Sequence, residues 1–240
     1  MEAVSILNIK FDIENVTNTI HPVILNHEQE LILIDCGYPN FLPLIEMKAK
    51  EKGISIERLT KIIITHHDFD HMGALAEFKS KYPKIEILSS VDEERYISGK
   101  EKSLRLQQAE ALYSSLPEDE KENADKFHQL LSSIKNVNVD LLLEDHQEFS
   151  WCRGAEIIST PGHTPGHISI YLKKGKTLIA GDALVVENGE LGIANPQYTL
   201  DMREAKNSIK KLLNYDIERI ICYHGGVFTE NIREALQKIL

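Results

Sequence analysis

Short apolar runs alternate with longer amphipathic segments along the chain. The runs are rich in Ile, Leu and Val, a composition that predicts β-strands. The longer segments carry apolar residues every three or four positions, which predicts surface helices. The predicted strands cover residues 1–9, 16–25, 31–34, 62–64, 85–88, 156–160, 168–172, 177–180 and 217–222, and the clearest helices cover 41–52, 72–81, 201–213 and 229–240.

These strands form two groups that are separated by a highly charged stretch, residues 92–140. Each group contains interleaved helices, so the pattern predicts an α/β fold in which two sheets pack face to face with helices outside. One domain over residues 1–240, with a helical insertion around 92–140, is the simplest organisation.

The insertion is predicted to contain helices with breaks near Gly99 and Pro117. Two interpretations of it carry equal weight: a lid or pocket wall over a functional site, and a solvated decoration. Its two predicted apolar stripes are Ala109, Leu112, Tyr113 and Leu116, and Phe127, Leu130, Leu131 and Ile134.

Metal-binding side chains directly follow several of the predicted strands. Imidazole and carboxylate donors suit Zn, Fe, Mn or Co rather than a thiolate site. His21 and Asp35 also lie near strand ends, and we interpret them as a structural histidine and a turn-stabilising or supporting carboxylate. The candidate ligands are His66, Asp68, Asp70, His71, His163, Asp182 and His224.

Composition narrows the class of protein further. The chain has 240 residues, of which 42% are hydrophobic, and a formal net charge of -10. The acidic balance opposes binding to nucleic acid or anionic lipid. Three widely spaced cysteines argue against a disulfide framework. No leader pattern or membrane-length apolar run is present, so we expect a cytoplasmic protein.

Four motifs in order resemble the metallo-β-lactamase superfamily over nearly the whole chain. They lie at residues 65–73, 160–167, 181–182 and 224–225. The resemblance implies an αββα sandwich of two mixed sheets and a His-x-His-x-Asp-His metal motif followed by a distant His, Asp and His. The sequence departs from this motif at Asp68, which stands at the position of the second His.

The resemblance implies a binuclear site for two divalent metal ions, with Zn as the first expectation and Fe or Mn as alternatives. Its first metal would have His66, Asp68 and His163, its second would have Asp70, His71 and His224, and Asp182 would bridge them. His67 is expected to point away, and His167 to be structural. Alternatively, Asp68 does not bind and one site is weak or empty.

The carboxylate at position 68 changes the expected charge of the site. Two divalent ions would be neutralised by Asp68, Asp70, Asp182 and a bridging hydroxide, whereas a histidine at position 68 would leave one positive charge. This comparison predicts a less electrophilic site that is tilted toward harder metals such as Fe or Mn.

The expected activity is metal-dependent hydrolysis by a metal-bridging hydroxide. The substrate would be an ester, thioester, lactone or related small molecule, and Asp70 would orient the hydroxide and accept its proton. Ala183 follows the bridging position where related lactonases often have a Tyr nearby, which weakens the lactonase hypothesis. Tyr223 is either an oxyanion donor or a packed strand-end residue. The alternative function is a di-iron oxidoreductase that acts on O₂ or NO with a separate electron donor.

Overall fold

The computed structural model describes residues 3–13 and 16–240 and contains two six-stranded mixed sheets. In spatial order the first sheet contains β1 (Val4–Ile6), β4 (Val23–His27), β5 (Glu30–Ile34), β6 (Lys61–Ile63), β7 (Glu86–Ser90) and β8 (Leu141–Leu143). Strands β5, β6, β7 and β8 are parallel, whereas β1 and β4 run antiparallel to their neighbours.

The second sheet comes from the other half of the chain. In spatial order it contains β16 (Gly226–Phe228), β15 (Arg219–Cys222), β12 (Thr177–Gly181), β11 (Ile168–Leu172), β10 (Ala155–Ser159) and β9 (Glu148–Phe149). Strands β12 and β15 are parallel to each other, and all other neighbouring strands in this sheet are antiparallel. Two separate ribbons pair β2 (Ile9–Ile13) with β3 (Val16–Ile20) and β13 (Val185–Glu187) with β14 (Glu190–Gly192).

Helices cover the outer faces of both sheets. The central apolar layer joins Ile32 and Ile63 of the first sheet to Ile170 and Ile179 of the second. The helices are α1 (Leu42–Glu51), α2 (Phe69–Met72), α3 (Leu75–Lys81), α4 (Val91–Ile97), α5 (Leu104–Tyr113), α6 (Glu118–Ser133), α7 (Met202–Leu212) and α8 (Ile232–Ile239). Separate apolar clusters pack α1 and α3 on the first sheet and α7 and α8 on the second, so the predicted αββα sandwich is confirmed.

Some predicted boundaries differ from those of the structure. The predicted strand at 16–25 is divided by Pro22, which cannot donate a ladder hydrogen bond, so β3 and β4 belong to different sheets. The predicted helix at 72–81 is two helices, and the first begins at Phe69 inside the ligand loop. Residues 1 and 2 of the first predicted strand lie outside the described residues.

The insertion forms helices α4, α5 and α6, with breaks at the expected Gly99 and Pro117. The predicted stripe on α5 is only partly covered, because Leu112 is half exposed. Among the residues that the structure describes, no helix is both long enough and apolar enough to cross a membrane.

Candidate metal centre

The candidate ligands meet at one edge of the sandwich, where strands of both sheets end. Parallel strands place their carboxyl ends at the same edge, and β6, β12 and β15 end at Ile63, Gly181 and Cys222. The loop after β6 turns back through hydrogen bonds from the His71 and Met72 amides to the Asp68 carbonyl. This turn lets residues close in sequence face the same site.

All seven predicted ligands come together in three overlapping groups. Within each group, one ligand atom per residue lies within 4.8 Å of the others. All seven side chains are buried except that of His224, which is partly exposed. The groups are His66, Asp68 and His163; His66, His71 and Asp182; and Asp70, His71 and His224.

Asp182 lies between the other ligands. Its Oδ1 is 3.4 Å from Nε2 of His71, while its Oδ2 is 3.7 Å from Nε2 of His163 and 3.5 Å from Nε2 of His224. One carboxylate thus faces histidines from all three remaining segments. This is the position that a bridging ligand requires.

The residues fit a bound cation for two reasons. Imidazole and carboxylate groups bind metal ions, and several of their nitrogen and oxygen atoms have no hydrogen-bond partner in the part of the chain that the structure describes. Nε2 of His66, Nε2 of His71 and Oδ1 of Asp182 are buried and have no hydrogen-bond partner among the described residues. Buried polar atoms are normally paired, so a group of unpaired imidazole nitrogens beside carboxylates indicates a site for a metal ion.

The electrostatics of the metal-free site follow from its buried charges. Burial opposes protonation of imidazole, but the surrounding carboxylates, Asp182 foremost, hold the pKa of His71 well above its usual range and raise the pKa of His224 to about 10. Burial likewise opposes ionisation of the two aspartates. The pKa of Asp68 is nevertheless held well below its usual range, chiefly by Arg105, and that of Asp182 by His224 and His71.

Asp35 supports the centre from behind. Its Oδ2 accepts a hydrogen bond from Nδ1 of His71 at 2.9 Å, and its Oδ1 accepts one from the Thr65 amide at 2.9 Å. The first bond leaves Nε2 of His71 free to face the site, which is how carboxylates orient metal-binding histidines. Asp35 therefore has the supporting position that the sequence indicated.

Replacement of Asp35 by asparagine is expected to weaken zinc binding by about 10- to 100-fold, as is typical for loss of a carboxylate that orients a ligand. Asn retains the size of Asp35 but loses the charge beside His71. Zinc titration against a competing chelator measures the effect. The control is Asp12→Asn, an exposed carboxylate bonded to Thr17. Equal affinity in the two variants would contradict the supporting role.

His67 points away from the candidate ligands, as expected. Its Nδ1 and its amide both bond Oε2 of Glu93, and its ring stacks on Tyr96. Oε1 of Glu93 accepts from the Thr164 hydroxyl at 2.7 Å and the Gly166 amide at 3.0 Å. Glu93 therefore joins the two ligand-bearing loops at its buried carboxylate.

Glu93→Ala is expected to lower the free energy of unfolding by about 3–5 kcal/mol, because it leaves His67 and two loop donors buried without their partner. Denaturant unfolding of the metal-free protein measures this loss. The adjacent Asp92→Ala removes an exposed carboxylate and should change stability by less than about 0.5 kcal/mol. A similar loss in both variants would count against a connecting role for Glu93.

Two further predicted candidates have structural contacts. Nδ1 of His167 bonds the Thr160 hydroxyl, and its Nε2 accepts from the Asp182 amide at 3.0 Å. Burial lowers the pKa of His167 to about 3, consistent with a neutral acceptor. His21 bonds the Tyr223 carbonyl through Nδ1 at 3.1 Å. Both imidazoles therefore support the loops around the centre.

Tyr223 is a packed strand-end residue. Its hydroxyl donates to the Asp70 carbonyl at 2.6 Å, and its ring lies 3.9 Å from that of His71 between centroids. Because this hydroxyl hydrogen is already donated, the oxyanion-donor alternative has no support from the geometry.

A cavity of about 440 Å³ opens directly onto the candidate ligands. Tyr38, Phe69 and Val185 supply part of its apolar surface, and Arg105 and Phe127 bring two helices of the insertion to its wall. The geometry therefore favours the pocket-wall interpretation of this segment over a solvated decoration.

Arg105 is the residue at the centre that sequence reasoning missed. It is only 4% exposed, and its Nη2 donates to Oδ2 of Asp68 at 2.6 Å. An arginine in a charged helical segment gives no signal of burial, because most such residues remain in solvent. Only the unusual carboxylate at position 68 could have suggested a search for a cation.

Comparisons with known proteins agree with this arrangement. The family model described as the metallo-beta-lactamase superfamily matches residues 19–224. The probable metallo-hydrolase YflN of Bacillus subtilis (strain 168) is 30% identical over 223 residues, which cover 87% of this chain and 80% of that protein. A hydroxyacylglutathione hydrolase of Bartonella henselae is 29% identical over 198 residues, covering 81% and 60% respectively.

A solved structure has the same fold. A metallo-beta-lactamase family protein from Thermus thermophilus superposes with a TM-score of 0.76 and 21% sequence identity. The match covers 98% of this chain and 77% of that one.

Proposed function

The chain belongs to the metallo-beta-lactamase superfamily, and from this premise we propose that it hydrolyses an ester, thioester, lactone or related small molecule at a binuclear metal centre. Metal-dependent hydrolysis itself follows from the family and from the names of its relatives. The observation that carries the binuclear proposal is the position of Asp182, whose carboxylate faces His163 of one predicted ligand set and both His71 and His224 of the other.

We assign the ligands to the two sets that the sequence predicted. His66, Asp68 and His163 would hold one ion, Asp70, His71 and His224 the other, and Asp182 would contact both. Zn is the first expectation, because imidazole and carboxylate donors suit it, with Fe or Mn as alternatives. Bound divalent ions supply water activation and polarisation of a carbonyl oxygen.

Residues of the chain supply the remaining functions. Asp70 lines the cavity, and its Oδ2 lies 3.1 Å from Nε2 of His224. We assign Asp70 the role of orienting the attacking water and holding the proton taken from it, and its place in the cavity wall supports this role. Tyr223 fixes the Asp70 backbone through its hydroxyl, so this carboxylate has a defined position in the centre.

The cavity supports a small, partly apolar substrate. Tyr38, Phe69, Phe127 and Val185 form apolar wall surface, with Asn195 among the polar groups. A relative named hydroxyacylglutathione hydrolase makes acyl-glutathione compounds sensible first substrates. The net charge of -10 supports the proposal that neither nucleic acid nor a membrane surface is the partner. We keep the sequence-based expectation that the protein acts in the cytoplasm.

The test begins with metal analysis of protein purified without added metal. The same preparation is assayed on acyl-thioesters, lactones and phosphodiesters, then after chelation and after return of Zn, Fe or Mn. The proposal expects hydrolysis that chelation abolishes and metal restores. It would be overturned by a protein that binds no metal, or by iron-dependent O₂ or NO consumption with an added reductant and no hydrolysis.

A further inference from the structure

The unusual carboxylate at position 68 has a buried cationic partner. Arg105 donates from Nη2 to Oδ2 of Asp68 at 2.6 Å and from Nε to Oδ1 at 3.3 Å. Both side chains are almost fully buried, with exposed fractions of 4% for Arg105 and 7% for Asp68. A two-point contact between guanidinium and carboxylate fixes both charge and orientation.

The same carboxylate faces the candidate ligands. Oδ2 of Asp68 is 3.1 Å from Nε2 of His163 and 3.6 Å from Nε2 of His66. A carboxylate oxygen has more than one lone pair, so Oδ2 can accept from Arg105 while it also faces a cation. Arg105 and the two histidines therefore contact the same carboxylate.

Further contacts keep Arg105 in this position. Its Nη1 donates to Oε1 of Gln108 at 2.7 Å, and its Nη2 donates to the Tyr198 carbonyl at 2.8 Å. With four donor contacts already made, the guanidinium has little capacity left for a substrate anion. Its role is therefore to be sought at Asp68 rather than at the substrate.

We propose that Asp68 and Arg105 act as one unit in place of the neutral histidine of the usual motif. Asp68 supplies the ligand oxygen, while Arg105 is a positioning residue that orients Asp68 and cancels its extra negative charge. This inference rests on the proposed binuclear function and concerns how its first ligand set is built.

The pair changes the charge comparison made from sequence. Three carboxylates and a hydroxide would neutralise two divalent ions, and Arg105 adds one positive charge within 2.6 Å of Asp68. The total is then the same as for a centre with histidine at position 68. The pair thereby removes the electrostatic reason for a preference for Fe or Mn, and zinc is expected to bind both ligand sets.

A double-mutant cycle tests this unit without an activity assay. The variants are Asp68→His, Arg105→Met and the combined D68H/R105M, and the readouts are zinc stoichiometry and affinity against a competing chelator. D68H alone leaves the Arg105 charge facing a neutral imidazole and the bound ions. We expect it to weaken binding at one ligand set by at least about tenfold, and we expect D68H/R105M to recover that affinity.

Arg105→Met alone provides a second, independent test. It leaves the Asp68 charge uncancelled, so zinc binding should be at least as tight as in the wild type, while the melting temperature of the metal-free protein falls. The matched control is Arg95→Met, which removes an arginine whose ion pairs are with exposed Asp92 and Glu101 and should leave zinc binding unchanged. The visible spectrum of the cobalt-loaded protein should change in Arg105→Met, because Asp68 is then no longer held in one orientation, and should stay unchanged in Arg95→Met.

The outcomes separate this inference from the proposed function. A wild type that binds fewer than two ions of zinc, iron and manganese alike contradicts the binuclear proposal itself. One that binds two iron or manganese ions but fewer than two zinc ions overturns the Asp68 and Arg105 unit. If the wild type binds two zinc ions and D68H/R105M binds no more tightly than D68H, only the Asp68 and Arg105 unit is overturned. Where D68H does not fold, Asp68→Asn with and without Arg105→Met tests the same coupling, and recovery in the double variant is again required.

Discussion

Asp182→Asn is expected to lower kcat/KM for hydrolysis by at least about a thousandfold, which exceeds the 10- to 100-fold effect of losing an outer supporting residue. Asn retains the size of Asp182 but loses its charge and one acceptor oxygen. An amide would also direct hydrogens toward the imidazoles of His71 or His224, at positions where the aspartate oxygens lie within 3.5 Å. Bound metal should fall below two ions per chain.

The measurement combines metal analysis with steady-state kinetics on a substrate that the wild type cleaves. Asp216→Asn is the control, because it removes an exposed carboxylate that pairs with Lys176 and should leave both readouts unchanged. Circular dichroism establishes that each variant is folded. Turnover and metal content equal to those of the wild type in Asp182→Asn would exclude a bridging role for this residue.

The position of the centre was predictable because the chemistry follows the strands directly. Asp182 comes immediately after the buried strand β12, and His66 lies three residues beyond β6. Parallel strands carry such residues to a common edge, so order along the chain was enough to group distant segments. The structure agrees on which residues meet, while their roles as ligands stay a prediction.

Contacts that depend on long-range packing could not be predicted from the sequence pattern. Arg105 lies in a helix whose sequence is typical of a solvated surface, and it is buried only because the insertion folds over the centre. Glu93 presents the same difficulty, since it follows an ordinary N-cap serine, Ser90, in a charged segment. Identifying their partners required the spatial arrangement of loops that lie 26 or more residues apart.

Boundary errors had local causes that the apolar pattern does not record. The helix α2 begins at Phe69 because the Asp68 carbonyl accepts from two amides and starts a turn within the ligand loop. Gly73 then lies against Pro39, where an added Cβ would come within 2.5 Å of Pro39 atoms. The backbone leaves the helical conformation at Ala74, with φ -88° and ψ 3°, between α2 and α3, whereas the spacing of apolar residues alone predicts one continuous helix.

Zinc affinity is expected to rise as the pH increases from about 6.5 toward 10. In the metal-free protein the carboxylates, with Asp182 foremost, raise the pKa of His224 to about 10 and hold the pKa of His71 well above its usual value. Both imidazoles are therefore protonated near neutral pH, and each must release a proton before it can bind a metal. Asp182 has a lowered pKa and is already ionised, so it adds nothing to this pH dependence.

The magnitude follows from the number of protons released. Each proton contributes about tenfold in affinity per pH unit while its imidazole remains mostly protonated. Zinc titrations against a chelator at pH 7, 8 and 9 measure the slope. His224→Ala should reduce that slope by one proton, whereas His146→Ala, which removes an exposed imidazole, should leave it unchanged. A slope of zero would contradict the protonated metal-free centre.

The same raised pKa values predict different dependences of stability on pH for the metal-free and the zinc-loaded protein. A histidine whose folded pKa exceeds its unfolded value of 6.5 stabilises the fold fully below pH 6.5, and this contribution is lost as the pH rises through the folded value, about 10 for His224. The melting temperature of the metal-free protein should therefore fall over this interval.

Zinc-loaded protein has no imidazolium to lose and binds zinc more tightly at higher pH, so the stabilisation by zinc should grow across the same interval. A constant difference in melting temperature would show that proton release and metal binding are not linked at His71 and His224.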